Sequence, residues 1–213
     1  MQTEELIQSL AKDARAVSRH AVGGRIALGI LAGGAIALVL IGTILGIRPD
    51  LDTAIHGFSF WMKWGYAASL GIGAVGVTIS LARPDGTRLR RSWLLTVPVL
   101  LLAGIGIAEL AQTPPGDWLA MWLGHSWRSC PWLILLLALP IFIGLLWSFR
   151  RLAPTRLRTA GAGAGFTAGA WSATLYCLHC PEVSAVFVLT WYSLGIALAA
   201  AIGAVVGPRL LRW

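Results

Sequence analysis

The sequence predicts an all-α integral membrane protein with six transmembrane helices, both termini cytoplasmic, and a short amphipathic N-terminal helix. Three observations carry that prediction. Only 12% of the 213 residues are charged and 57% are hydrophobic, with a mean hydropathy of +0.74, against about 25% charged in a soluble domain. Six apolar runs reach the ~20 residues a helix needs to cross a bilayer, near 26–47, 64–82, 93–111, 132–149, 159–178 and 183–207. The basic residues, finally, fall on alternate sides of those runs.

The runs are rich in Ala, Leu, Ile, Val and Gly and lack the alternation of a barrel strand. Helices satisfy their own backbone hydrogen bonds in lipid, so a helical bundle follows. The segments before the first run, between the second and third, between the fourth and fifth, and after the sixth hold 14 of the 17 Lys and Arg. Only Arg48, Lys63 and Arg128 fall on the other side. Retention of Lys and Arg in the cytoplasm puts both termini inside. The net charge of +8 is thereby assigned to loops against anionic headgroups, and no direct contact with nucleic acid is expected. No cleavable leader is read, since a polar stretch precedes a first run of full span length. In a bacterium this is the inner membrane, with an oxidising periplasm outside.

Two parts follow, a cytoplasmic segment 1–24 and a membrane domain 25–213. In TEELIQSLAKDARAVSR, Thr3 caps a helix whose first turn carries Glu4 and Glu5. Leu6, Leu10, Ala14 and Val17 form one stripe with Ile7 at its edge. So short a helix is marginal alone and needs a surface for that stripe, either lipid or a protein groove. Its mixed-charge polar face and lack of aromatics favour the groove.

The fifth run carries Gly161, Gly165 and Gly169, and the sixth Gly195, Ala199, Gly203 and Gly207. Four-residue spacing sets each group on one face, suited to close helix packing or to a homo-oligomer. The loop PPGDWLAMWLGHSWRSC, with Trp118, Trp122 and Trp127, reads as a short interfacial helix, an anchor before a lid.

The chain has three cysteines. Cys130 stands in WRSCPW, and Cys177 and Cys180 in YCLHCPE. Spans four and five form a hairpin, so the periplasmic ends bearing these residues can be neighbours. Proline favours the first helical position, which makes Pro131 and Pro181 the openings of spans four and six and Cys130 and Cys180 their N-caps. A thiol there loses its proton more readily, which suits a sensor or a disulfide. Cys177 fits an inert packing residue. With His179, the two thiols supply soft metal ligands, but a closed zinc site wants four. Glu109, in the last turn of span three, is a candidate for a site with Arg128 or His125. Glu182 complements the start of span six.

No phosphate-binding glycine loop, Ser-His-Asp set or carboxylate pair is present, so neither an enzyme of those kinds nor a cofactor is expected. A quinone-linked thiol oxidoreductase is one alternative, but it normally uses two cysteine pairs. A small metal or solute transporter is another, but Glu109 is the one deep charge on any polar path.

Taken in order, TEELIQSLAKDARAV, ILGIRPDL, WRSCPW, LHCPE, FVLTW and the ending VVGPRLLRW resemble the NrsF family of bacterial membrane anti-sigma factors. The resemblance implies six spans, an N-terminal segment that holds an extracytoplasmic-function sigma factor, and two periplasmic cysteines that answer heavy-metal or oxidative stress. Cys130 and Cys180 match those cysteines; Cys177 lies outside that pattern.

Overall fold

The computed structural model describes residues 21–82, 92–150, 152 and 156–211. The N-terminal stripe of Leu6, Ile7, Leu10, Ala14 and Val17 lies outside the described residues. Among these residues every regular element is helical. Helix α1 (Ala21–Leu40) ends in a π turn, Ile41–Leu45. A short α2 (Leu51–Ala54) leads into α3 (Phe58–Leu81). A 3₁₀ turn, Ser92–Leu95, precedes α4 (Thr96–Gln112), and α5 (Trp118–Leu123) is a helix of under two turns. Helices α6 (Cys130–Phe149), α7 (Leu157–Tyr176) and α8 (Ala185–Leu210) complete the chain, α8 with a π segment at Val188–Tyr192.

Among the described residues, five helices are long and apolar enough to cross a bilayer: Val22–Leu45, Phe58–Leu81, Trp93–Gln112, Cys130–Phe149 and Ala185–Leu210. The remaining long helix, α7, is 20 residues of mostly Ala, Gly and Thr, twelve of them buried. It is the central helix, packed against α1, α3, α6 and α8. Protein rather than solvent or lipid covers its sides, so its apolarity can be lower. Helix α4 is the opposite case. Leu102 and Gly106 are its buried residues, and it lies at the edge against the start of α8.

The small-residue stripes set the α7–α8 contact. A Cβ on Gly161 would run into the Gly203 carbonyl oxygen, and one on Gly165 into that of Ala199. Gly195 departs from the stripe, since it faces Pro131 and Ile134 of α6. A second close approach joins α1 to α6, where Gly29 meets the Gly144 carbonyl and Gly33 meets Pro140 and Ile141. Side-chain hydroxyls add to this packing: Ser172 of α7 donates to the Ile134 carbonyl of α6 at 2.9 Å, and Ser148 of α6 to the Arg25 carbonyl of α1 at 2.8 Å.

Helix α3 starts at Phe58, six residues before the expected 64, because Gly57 in extended geometry ends the preceding turn. Lys63 is therefore inside a helix rather than in a loop. This changes the site described next.

Candidate functional site: a buried thiol cluster

Six chain segments meet at one end of the bundle: the turn after α1, the start of α3, the end of α4, the start of α6, the end of α7 and the start of α8. Cys130, Cys177 and Cys180 all lie there. Each is 0% exposed and unbridged, in one core cluster with Tyr176 and Tyr192.

Cys130 is the first residue of α6, with Ser129 at the N-cap and Pro131 in the first turn; its N–H bonds the Ser126 carbonyl at 2.9 Å. The expectation that Cys130 caps the helix is thus off by one residue. The expectation for Cys180 fails more fully. Its N–H bonds the Tyr176 carbonyl at 3.0 Å, so it closes α7 instead of opening α8. Helix α8 begins after Ser184, whose hydroxyl accepts from Phe187 N–H at 3.4 Å.

The thiols of Cys130 and Cys180 are neighbours in that cluster, each acting on the other's proton affinity, and Tyr176 is a further neighbour of Cys130. The hydroxyl of Tyr192 faces Cys177 and Cys180 without an aligned hydrogen bond. Bonding to Cys130 pushes the Cys180 thiol below its ordinary range; burial opposes this and the charge of Lys63 assists it. Cys177 turns aside, donating to the Ala173 carbonyl at 3.3 Å. His179 is not a ligand of the pair either, since its Nδ1 lies 2.8 Å from the Gly46 carbonyl and its ring rests on Tyr176. Among the described residues no group of three His, Cys, Asp or Glu is arranged to hold a metal ion. Two soft donors come together, and a third does not.

Two cations that sequence reasoning left among loop charges complete the site. Lys63 is 0% exposed, and its ammonium donates to the carbonyls of Cys180, at 2.9 Å, and Glu182. Arg48, 7% exposed, donates from Nη1 to the same Cys180 carbonyl at 3.2 Å and forks onto Asp50 at 2.6 and 2.7 Å. That pairing holds the Asp50 carboxyl below the usual carboxylate range. The signal that finds Lys63 is a lone cation in the aromatic run FSFWMKWGY, in the second turn of a helix that starts at Phe58.

Two carboxylates clamp the segment between α7 and α8. The Glu182 Oε1 accepts from His125 N–H at 2.7 Å, Ser126 N–H at 3.0 Å and Ser126 Oγ at 3.1 Å. It therefore holds the turn before Cys130 and does not complement α8. Glu109 does that instead. Its Oε2 accepts from Ser184 Oγ at 3.0 Å, Ala185 N–H at 2.8 Å and Val186 N–H at 3.4 Å, where a negative charge suits the helix dipole. Neither Arg128 nor His125 is its side-chain partner; Arg128 lies over the Trp127 ring at 5.0 Å. The Trp loop packs on α8: Trp122 and Trp127 each stack near Trp191 at 5.4 Å, and Trp191 Nε1 donates to the Trp122 carbonyl at 2.8 Å.

The family model described as "Negative regulator of sigma F" matches residues 10–213. The chain belongs to the NrsF family. It is 40% identical over 216 aligned positions to the probable anti-sigma-F factor NrsF of Azospira oryzae, and 41% over 215 to the anti-sigma-F factor NrsF of Caulobacter vibrioides. All of each chain is covered in both cases. No solved structure matches. NrsF proteins are transcriptional regulators rather than enzymes, which sets the oxidoreductase reading aside.

Proposed function

We propose that this NrsF protein is a membrane anti-sigma factor of the bacterial inner membrane. Six helices cross the bilayer, α7 among them, with both termini in the cytoplasm. Residues 1–24 hold an extracytoplasmic-function sigma factor against the stripe of Leu6, Ile7, Leu10, Ala14 and Val17, keeping it from RNA polymerase. Cys130 and Cys180, on the periplasmic side, sense heavy-metal or oxidative stress, and their reaction loosens that hold.

The observation that supports this reading most is the adjacency of Cys130 and Cys180, from separate helices, in one buried cluster. Such a pair reacts as a unit. Oxidation joins the two sulfurs with loss of two protons and of two electrons to an oxidant such as a peroxide. A soft divalent cation instead binds both sulfurs as thiolates and displaces two protons. Moving a sigma factor from mostly held to mostly free takes on the order of 5 kcal/mol of differential stability. A new disulfide supplies ~2–4 kcal/mol, a large part of what is needed.

The test is Cys130→Ser with Cys180→Ser in the full chain, beside a reporter of sigma-dependent transcription. Loss of the response to cadmium and to peroxide, with repression in unstressed cells retained, is expected. A full response in the double variant removes the thiols from the mechanism.

A further inference from the structure

The thiol pair lies at the C-terminal end of α1, and residues 1–20 precede its N-terminal end in the sequence, so a reaction at the sulfurs must reach that segment through α1 and its contacts. The structure offers a short route. Arg48 follows the end of α1 by three residues, on the turn where Gly46 takes a positive φ of 81°. Three hydrogen bonds stitch that turn to the segment carrying Cys180. Arg48 N–H donates to the Leu178 carbonyl at 3.0 Å, Arg48 Nη1 to the Cys180 carbonyl at 3.2 Å, and His179 Nδ1 bonds the Gly46 carbonyl at 2.8 Å.

We propose that Arg48 is a positioning residue that passes the state of the Cys130–Cys180 pair to α1, by tying the Cys180 carbonyl to the turn that ends that helix. The proposal rests on the thiol-sensing reading above. Its physical basis is the poor alternative. The Cys180 carbonyl takes two cationic donors, Arg48 and Lys63, both buried. Lys63 has no carboxylate partner among the described residues, whose ion pair is Arg48–Asp50. Its charge is met by the carbonyls of Cys180 and Glu182. A displacement of Cys180 that left Lys63 behind would strand its charge, and one that left Arg48 behind would leave the buried Nη1 and the Arg48 N–H without their acceptors while Asp50 keeps the rest of the guanidinium; each costs more than carrying the partner along. Rearrangement at the sulfurs therefore drags the end of α1, and α1 is the helix that follows residues 1–20 in the sequence.

The experiment compares wild type, Arg48→Gln and Arg48→Lys in the full-length protein in cells. Two quantities are read: the fraction of Cys130–Cys180 disulfide formed under peroxide, and the induced-to-uninduced reporter ratio. Arg48→Gln is expected to form the disulfide to the wild-type extent while its ratio falls at least ten-fold. Arg48→Lys, which keeps a cationic donor, is expected to recover part of the ratio. A wild-type ratio in Arg48→Gln overturns the proposal, as does joint loss of disulfide and ratio, which marks Arg48 as structural only. Should Arg48→Gln not accumulate, His179→Ala removes the bond to Gly46 together with the ring contact on Tyr176. A lowered ratio with intact disulfide formation supports the coupling, and an unchanged ratio overturns it. The Cys130→Ser/Cys180→Ser variant runs in parallel: a response surviving there sinks the sensing reading itself, whatever Arg48 does.

Discussion

Removing the Glu182 carboxylate should open the thiol site, and the size of the effect follows from its contacts. Oε1 accepts three hydrogen bonds from His125 and Ser126, at 2.7, 3.0 and 3.1 Å. A hydrogen bond to a charged group contributes about 1.5–3 kcal/mol. These three share one oxygen on a half-buried side chain, so their sum for Glu182→Ala comes to about 2–3 kcal/mol rather than three full bonds. Glu182→Gln keeps an acceptor and loses the charge, at about 1 kcal/mol. Because Cys130 is 0% exposed, a small maleimide reaches it through local opening, and the labelling rate follows the opening equilibrium. At 1.36 kcal/mol per decade, Glu182→Ala should speed labelling about 30- to 150-fold and Glu182→Gln about 5-fold. Peptide-resolved mass spectrometry of labelled membranes measures this directly. An unchanged Cys130 rate in Glu182→Ala would show that the 124–129 turn does not gate the site.

Gly203→Leu places a Cβ against the Gly161 carbonyl and should destabilise by ~3 kcal/mol or more, because neither backbone can yield; Gly76→Leu, with nothing within 4 Å, should accumulate normally, as immunoblots of membranes will report. Glu109→Gln weakens the cap on α8 and should cost about 1 kcal/mol, read as a lower midpoint in detergent denaturation. Lys63→Met removes a buried cation for an apolar chain of similar size. Its effect on stability should be about 1–2 kcal/mol, since the Glu182 carbonyl loses its donor while the cost of burying the charge is removed. Its mark should be on titration: the Lys63 charge helps lower the Cys180 thiol, so thiolate-dependent labelling of Cys180 should require higher pH in the variant than in wild type.

The helical class was legible because apolar runs of span length have few other uses, and the α7–α8 packing because glycines at four-residue spacing share a face. The helix starts at the thiol end were less legible. Cys-Pro looks like an N-cap step, yet after α7 the chain runs without regular structure from Cys180 to Ser184 before turning helical, so proline there marks a stop rather than a start. The partners of Glu109 and Glu182 lie 56 to 77 residues away in sequence, beyond the reach of local pattern. Lys63 was hidden for a different reason. A lysine beside Trp61 and Trp64 resembles an interfacial anchor, and only the fold shows that the loop after α7 brings carbonyls down to meet it.

In the proposed function, burial is what would make the thiol pair a sensor. A thiol pair exposed at the surface would react with any passing electrophile at a rate set by its own chemistry. Here Cys130 and Cys180 are sealed, so reaction waits on movement of the 124–129 turn or the 178–184 segment. Glu182 holds the first of these, and Arg48, Lys63 and Glu109 hold the second. Admitting a reagent and shifting the Cys180 carbonyl are then one motion along one set of contacts. The clamp strength would set both the threshold of the response and the force delivered to α1. Weakening Glu182 should therefore lower the inducer concentration needed for half-maximal reporter output, by the same factor that it raises the labelling rate of Cys130. A labelling rate that rises while the half-maximal concentration stays fixed would separate access from signalling and refute the single motion.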